Sequence, residues 1–276
     1  MAFHVETQRR GRFPAGLPGL VFQFWLGLSC LLVLLFIVVP LFRTVLSPDA
    51  ERMWATLHDA DVLRSVGLSM GASAMAAVLS LLLGTPLAYV LARGEFAGKK
   101  VIESLIDLPI MIPHPVIGIA FLTLAGRNNW FGRMLADAGV EIMGTVTGIT
   151  AVLFFVGLPF YINTAKAGFE AVPVRLERVS RSLGAGPGAT FFRVTLPLCS
   201  RSMLVGMIMC MARALSEFGA VVIVAYHPMI APVLMFERFT AYGLKYSQPV
   251  AVILILVSLV FFVLLRLLSR GPVREA

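Results

Sequence analysis

Long apolar stretches, each near or above the roughly 18 residues a helix needs to cross a hydrocarbon core, recur along the whole chain. They run Leu20 to Phe42, Val66 to Leu91, Leu108 to Ala125, Ile142 to Ala165, Ser202 to Tyr226 and Ser247 to Leu265, and only the fifth carries full charges inside. Lipid must be the main solvent of such a chain. Only 14% of its residues are charged, against about 25% in an ordinary soluble domain. The expectation is an all-α, polytopic membrane protein of about six transmembrane helices. It has a tail at 1–19, one transmembrane domain at 20–268 and a second tail at 269–276.

The first run follows Arg9, Arg10 and Arg12, as a secretory or twin-arginine signal would. It is too long and lacks a small-residue cleavage site, so it is read as the first span. Six spans put both termini on one side. Lys and Arg stand roughly two to one on that side, notably Lys99, Lys100, Arg175 to Arg201 and Arg266 to Arg274, which reads as cytoplasmic termini and a multi-pass cell (inner) membrane protein. The formal net charge of +8 is therefore a topology signal and not a sign of nucleic-acid binding. On the opposite side, Trp54 and Trp130 read most simply as interfacial anchors.

Between the fourth and fifth spans the chain makes a loop at about 166–200, long for a connector that only turns the chain around. Pro173 can start a short helix, because its missing amide donor is an orphan there anyway. Val174 to Leu183 mixes apolar positions with Arg175, Glu177, Arg178 and Arg181, as an amphipathic helix does, and Gly184, Gly186, Pro187 and Gly188 then stop it. A second apolar stretch, Phe191 to Leu198, returns to the membrane. The pattern leaves two readings: a lever for a soluble partner, or a helix resting at lipid headgroups.

This segment resembles the cytoplasmic coupling loop of ABC importer permeases, Glu-Ala-Ala, three residues, Gly, nine residues, then Ile-x-Leu-Pro. Gly184 is followed by nine residues and then Val194, Thr195, Leu196 and Pro197, whereas Arg178, Val179 and Ser180 stand where Glu-Ala-Ala is expected. Glu177, one position earlier, is the candidate to replace the missing charge. The resemblance implies that Glu177, Arg178, Gly184, Ala185, Leu196 and Pro197 couple the chain to an ATPase. Asp107 to Val116, with its Pro109, Pro113 and Pro115, is similar to the proline-rich segment of the molybdate and sulfate permease branch. So is Arg213-Ala214-Leu215-Ser216-Glu217-Phe218-Gly219, and Ala225 to Leu234 with Glu237-Arg238-Phe239 looks most like the molybdate/tungstate permeases.

A type I ABC importer permease fold is what the resemblance implies, with a second copy of the chain, two cytoplasmic ATPase subunits that hold ATP and Mg, and an extracytoplasmic substrate-binding protein as partners. The chain itself has no GxxxxGK[ST] loop, no metal-ligand cluster and no catalytic set. Cys30, Cys199 and Cys210 read as buried and structural. Sulfate, ferric iron or polyamine import are the rival substrates, and a stand-alone secondary transporter is the rival class. Polyamines want a path lined with carboxylates, and Glu217 beside Arg213 offers one.

Arg213 and Glu217 lie four apart in the fifth run, which puts them on one helical face. They are either a local ion pair that fixes packing or, with Ser216, part of the translocation path, Arg213 attracting an oxyanion while Glu217 holds the arginine in place. Pro109, Pro113 and Pro115 break the hydrogen-bond ladder of the third span and predict a kinked, gate-forming helix; Pro86 and Pro159 are read as further kinks. His114 among these prolines reads as a packed, neutral histidine near a helix start, with a pH sensor or ligand as the alternative. Gly67, Gly71, Ala72, Ser73, Ala74, Ala76 and Ala77 predict close helix packing in the second span, within the bundle or across a dimer.

Overall fold

The computed structural model describes residues 17–126 and 128–268; the N-terminal tail up to residue 16, Arg127 and the tail at 269–276 lie outside them. Every regular element among the described residues is helical. α1 (Leu17–Leu46) forms a unit by itself, and the chain from Asp49 onward forms a second. α1 is 30 residues long, about 45 Å at 1.5 Å per residue, enough to cross a membrane.

The second unit opens with the short α2 (Ala50–Leu57) and the long α3 (Ala60–Arg93). α4 (Lys99–Met111), α5 (His114–Ala125), α6 (Trp130–Asp137) and α7 (Val146–Ala171) follow. Next come α8 (Val174–Ser182), α9 (Pro187–Thr190), a π-helical turn (Phe191–Thr195) and α10 (Leu196–Leu215). α11 (Val221–Val224), α12 (Ala231–Tyr242) and α13 (Leu244–Leu268) complete it. By length and composition α1, α3, α7 and the run Pro187–Leu215 can each cross a membrane, and α4 with α5 is a bent apolar pair long enough for a broken fifth span or a re-entrant loop. α13, 25 residues long, is a further apolar helix.

Two sequence expectations about the spans are corrected. The third span is not one kinked helix: α4 and α5 meet at 109°. Pro109 sits in the last turn of α4 without ending it. The break falls at Ile112, held extended (φ −75°, ψ 134°) because the ring of Pro113 disfavours helical geometry in the residue before it. Pro115 then occupies the first turn of α5, where no amide donor is required. Pro86 and Pro159 lie inside uninterrupted helices.

The fifth span is also shifted, running Pro187–Leu215 rather than Ser202 to Tyr226. Its helix begins just past the glycines after α8, so the loop at 166–200 is mostly helix. Pro197 cannot donate to a carbonyl one turn back, and the ladder accommodates it in the π turn, where the Leu196 amide reaches the Phe191 carbonyl.

α3, α7 and α10 form the centre of this unit. Helices in lipid associate through van der Waals contact between small residues rather than through the hydrophobic effect. A methyl group on Gly168 would collide with Ser202 Cβ, and one on Gly157 would lie 2.6 Å from Cys210 Sγ. Gly84 similarly admits the ring of Tyr161. In α3 the expected small face divides: Ala72, Ser73, Ala76 and Ala77 are buried, while a methyl on Gly67 or Gly71 would meet nothing within 4 Å. Cys199 and Cys210 are buried as expected; Cys30, on α1, is instead exposed.

At the other end of α3, Asp59 caps the helix, accepting from the amides of Asp61 (2.9 Å) and Val62 (3.4 Å). Its second oxygen accepts from Arg238 of α12 at 2.6 Å. Burial pushes the Asp59 carboxyl up, but the Arg238 hydrogen bond, the two amides and the arginine charge outweigh it and hold it below the usual aspartate range. A depressed carboxyl stabilises the fold above its unfolded pKa, and that contribution is lost as pH falls through the folded value. Asp59→Asn should therefore flatten the acid limb of the subunit's stability profile, read by thermal unfolding in detergent. Gly168→Ala should cost about 1–3 kcal/mol through overpacking, whereas Gly67→Ala leaves the unfolding temperature within error.

Candidate functional site

The residues between α10 and α11 gather the first polar centre. Arg213 lies in the last turn of α10, and Glu217 lies past the helix end, because Ser216 (ψ 0°) closes the helix. The pair forms, but not as two positions on one continuous helix. Arg213 Nη2 donates to Glu217 Oε2 at 2.8 Å, and the Ala220 amide donates to Glu217 Oε1 at 2.9 Å. The Glu217 side chain is 1% exposed.

The third member comes from the break in the third span. His114, first residue of α5, places Nε2 2.7 Å from Arg213 Nη2 and Nδ1 3.3 Å from Glu217 Oε2. Arg213 Nη2 also lies 3.0 Å from His114 Nδ1, so the guanidinium meets both ring nitrogens while it donates to Glu217. The approach depends on two glycines. A methyl on Gly219 would lie 3.0 Å from His114 Cβ, and one on Gly118 would lie 2.8 Å from the Ala220 carbonyl oxygen.

Burying a carboxylate in a bundle costs several kcal/mol unless charge and hydrogen bonds compensate it. Here Arg213 balances the charge of the carboxylate. Ser216 is exposed; its hydroxyl donates to the Arg213 carbonyl (3.0 Å), and Arg213 Nη1 lies 3.4 Å from it. The His114 side chain is 41% exposed. The carboxylate is occupied inward by Arg213 and the Ala220 amide, and the partly exposed Arg213 guanidinium is the donor group that remains beside Ser216.

The second centre sits at the far ends of α3 and α7. Glu177 of α8 is 5% exposed. Its Oε1 accepts from Arg93 Nε (3.0 Å), Arg93 Nη2 (2.9 Å) and Thr195 Oγ1 (3.0 Å), and Tyr89 Oη approaches Oε2 at 3.5 Å. Arg93 also donates to the Val172 carbonyl at 2.9 Å. One carboxylate thus ties α8 to the end of α3, and through Thr195 to the π turn that starts the long helix. The ring of Tyr89 packs edge-on against Phe169 and Phe191 beside it.

Gly184 ends α8 in a left-handed conformation (φ +89°). The Ala185 amide reaches the Ser180 carbonyl and the Gly184 amide the Arg181 carbonyl, the paired bonds of a Schellman stop. Arg178 and Gly184 are exposed and Ala185 is half-buried. Leu196 and Pro197 belong to the opening of α10 rather than to a loop tip. Alongside, Lys166 of α7 pairs with Glu103 of α4 (2.5 Å), and Asn163 donates to Asp107 (2.7 Å), holding α4 against α7.

Sequence spacing brings Arg213 and Glu217 together but misses His114, and it finds Glu177 but not Arg93, Tyr89 or Thr195. No local signal joins residues so far apart in the chain; only the buried carboxylate, which must have a partner, points to them.

This all-helical architecture, with a short amphipathic helix clamped between two spans, defines a membrane permease of the ABC-importer type. The chain belongs to the family of binding-protein-dependent transport system inner membrane components, whose model matches residues 80–273. It is 45% identical over 248 residues to the molybdate/tungstate transport system permease protein WtpB of Pyrococcus furiosus, covering 89% of this chain and 94% of that one. WtpB of Methanocaldococcus jannaschii is 37% identical over 90% of this chain and 97% of its own. The sulfate transport system permease protein CysT of Synechococcus elongatus is 34% identical over 91% of each. Among solved structures, a bacterial ABC transporter involved in the import of the acidic polysaccharide alginate matches at TM-score 0.69 and 15% identity, covering 91% of this chain and 96% of that one, a likeness of fold.

Two stability outcomes follow. Arg213→Ala leaves Glu217 buried and unpaired and should destabilise the subunit by about 3–5 kcal/mol. Replacing both partners, Arg213→Met with Glu217→Gln, should recover most of that loss, because the new side-chain amide oxygen can still accept from the Ala220 amide. Thermal unfolding of the purified wild type and the two variants checks both.

Proposed function

We propose that this chain is the pore-forming permease subunit of an ATP-driven importer for a tetrahedral oxyanion, molybdate or tungstate. The observation that carries the reading is the charge-balanced centre of Arg213, Glu217 and His114 beside the exposed Ser216 hydroxyl. An oxyanion passing it meets the partly exposed Arg213 guanidinium, and the carboxylate of the centre is already occupied by Arg213 and the Ala220 amide. The attraction is weak by construction, as release on the far side requires. A polyamine would find no free carboxylate there. The printed substrates of the WtpB relatives support molybdate or tungstate, and those of the CysT relatives keep sulfate as the second reading.

In this reading two copies form the pore in the cell (inner) membrane, with both termini cytoplasmic. An extracytoplasmic binding protein delivers the anion, and two cytoplasmic ATPase subunits, which hold ATP and Mg, dock on the segment that carries Glu177, Arg178, Gly184 and Ala185. Leu196 and Pro197, at the start of α10, pass its movement into the bundle. Ile112 and Pro113, between Pro109 and Pro115, form the joint where α5 can swing against α4 and open or close the path past Arg213 and Ser216. ATP closure would move α8, and the Glu177 to Arg93 tie would carry that movement to α3.

The test is ATP hydrolysis by the subunit reconstituted with its ATPase and binding protein in liposomes. Molybdate or tungstate should stimulate hydrolysis and sulfate much less; stimulation by sulfate alone would overturn the substrate assignment. Arg93→Ala should leave basal hydrolysis in place while abolishing stimulation, because α8 is then released from the bundle. Retained stimulation in that variant would refute the tie as the transmission element.

A further inference from the structure

His114 is the member of the Arg213 and Glu217 centre whose charge is free to change. Its Nε2 and Nδ1 lie 2.7 Å and 3.0 Å from Arg213 Nη2, and Nδ1 lies 3.3 Å from Glu217 Oε2. A neutral imidazole has one nitrogen that accepts, and Arg213 can donate to it. An imidazolium has two donors and no acceptor. Once protonated, the same ring loses its bond from Arg213 and gains a charge-assisted bond to Glu217. Two cations and one carboxylate then share the centre, and its formal charge rises from zero to one positive.

The exposure of the three groups decides where the added charge is felt. The Glu217 side chain is 1% exposed, that of Arg213 19% and that of His114 41%. The carboxylate is buried, and the two groups that carry positive charge are the ones a passing ion can reach. Other charged groups around α5 are paired or distant. α11, packed on Gly118 of α5, holds only Val221 to Val224. α6, with Arg133 and Asp137, and Glu141 after it meet the other end of α5 at Ala125. Glu103 and Asp107 of α4 are bonded to Lys166 and Asn163 of α7, and Glu170 of α7 also pairs with Lys166. Among the described residues, Glu217 is the carboxylate that pairs with His114.

We infer that His114 is a proton-operated switch on the anion path: its protonation turns a charge-balanced centre into a cationic one, frees Arg213 from the ring and favours uptake in acid. The inference rests on the proposed oxyanion path and adds its regulation. Histidine is the side chain whose ordinary charge change falls between about pH 5 and about pH 8. Toward the acid end the ring is charged, Glu217 is shared between two cations, and an oxyanion meets a net positive centre. Toward the alkaline end the ring is neutral, and Arg213 is divided between it and Glu217. Linkage requires the converse as well: an anion that favours the charged ring draws a proton onto it.

The experiment measures uptake of labelled molybdate or tungstate, at sub-saturating concentration, by liposomes carrying the subunit with its ATPase and binding protein. Rates are compared between about pH 6 and about pH 8 for the wild type and His114→Gln. Glutamine keeps a donor and an acceptor but has no charge to change. The ratio of the two rates cancels the pH dependence of the other subunits. It should rise on the order of tenfold as pH falls through that range. Parallel profiles, or a ratio that falls in acid, would overturn the switch and leave the path reading standing. Where the variant does not fold, the wild-type subunit with isotope-labelled histidine decides, by NMR in nanodiscs. It has four histidines, and His114 is assigned from variants that each lack one of the others. Its ring should take up a proton within the same range, and at higher pH when molybdate is added. A ring that keeps one charge state throughout would overturn the switch. Uptake at the wild-type rate by Arg213→Met with Glu217→Gln at every pH would instead overturn the path reading on which the switch depends.

Discussion

An ionised carboxylate surrounded by apolar helices is stable only where a cation and hydrogen-bond donors meet it, because lipid offers no water to replace them. Among the described residues two are buried, Glu177 and Glu217. Glu217 draws together the end of α10, the start of α5 and the turn into α11; Glu177 draws together α8, the end of α3 and the π turn. The breaks in the helices fall beside these two centres. Pro113 and Pro115 end one helix and start another so that His114 arrives beside Arg213. Pro197 forces the π turn whose last residue, Thr195, donates to Glu177.

The two centres differ in what surrounds them, and that difference separates their roles. Around Glu177 the partners are a buried arginine, a threonine and an aromatic cluster, which suits a rigid joint. Around Glu217 the partners are a half-exposed histidine and an arginine beside an exposed serine, which suits a path that an ion touches and leaves. Between them α3, α7 and α10 are held close by Gly84, Gly157 and Gly168, where the helices approach so tightly that a methyl group has no room. A displacement at α8 therefore has a stiff route toward the other centre, since close-packed helices move as bodies rather than deforming.

Much of this is legible in the sequence. The apolar periods locate the spans, and the proline, arginine and glycine pattern of 173–188 gives α8 nearly to the residue, because both ends have local causes: Pro173 at the start and the left-handed Gly184 at the stop. The fifth span is placed too late because Phe191 to Leu198 reads as a separate apolar stretch when Gly186, Pro187 and Gly188 are taken as a loop. In the structure Pro187 begins the helix, as a proline in a first turn is free to do. The near right angle between α4 and α5 is invisible for a different reason. Prolines announce a break, but the direction taken after it depends on where His114 and Gly118 find their partners, and those lie about a hundred residues on.

The proposed mechanism requires that Arg213 serve the passing anion and not only its neighbour Glu217. The most direct measurement is uptake of labelled molybdate or tungstate by liposomes carrying Arg213→Met with Glu217→Gln, matched to the wild type for folded subunit. Uptake should fall at least tenfold, in line with the loss of a charge-assisted contact worth about 1.5–3 kcal/mol, while the amount of folded protein does not. Uptake at the wild-type rate in that variant would make the pair structural and contradict a role for Arg213 in transport.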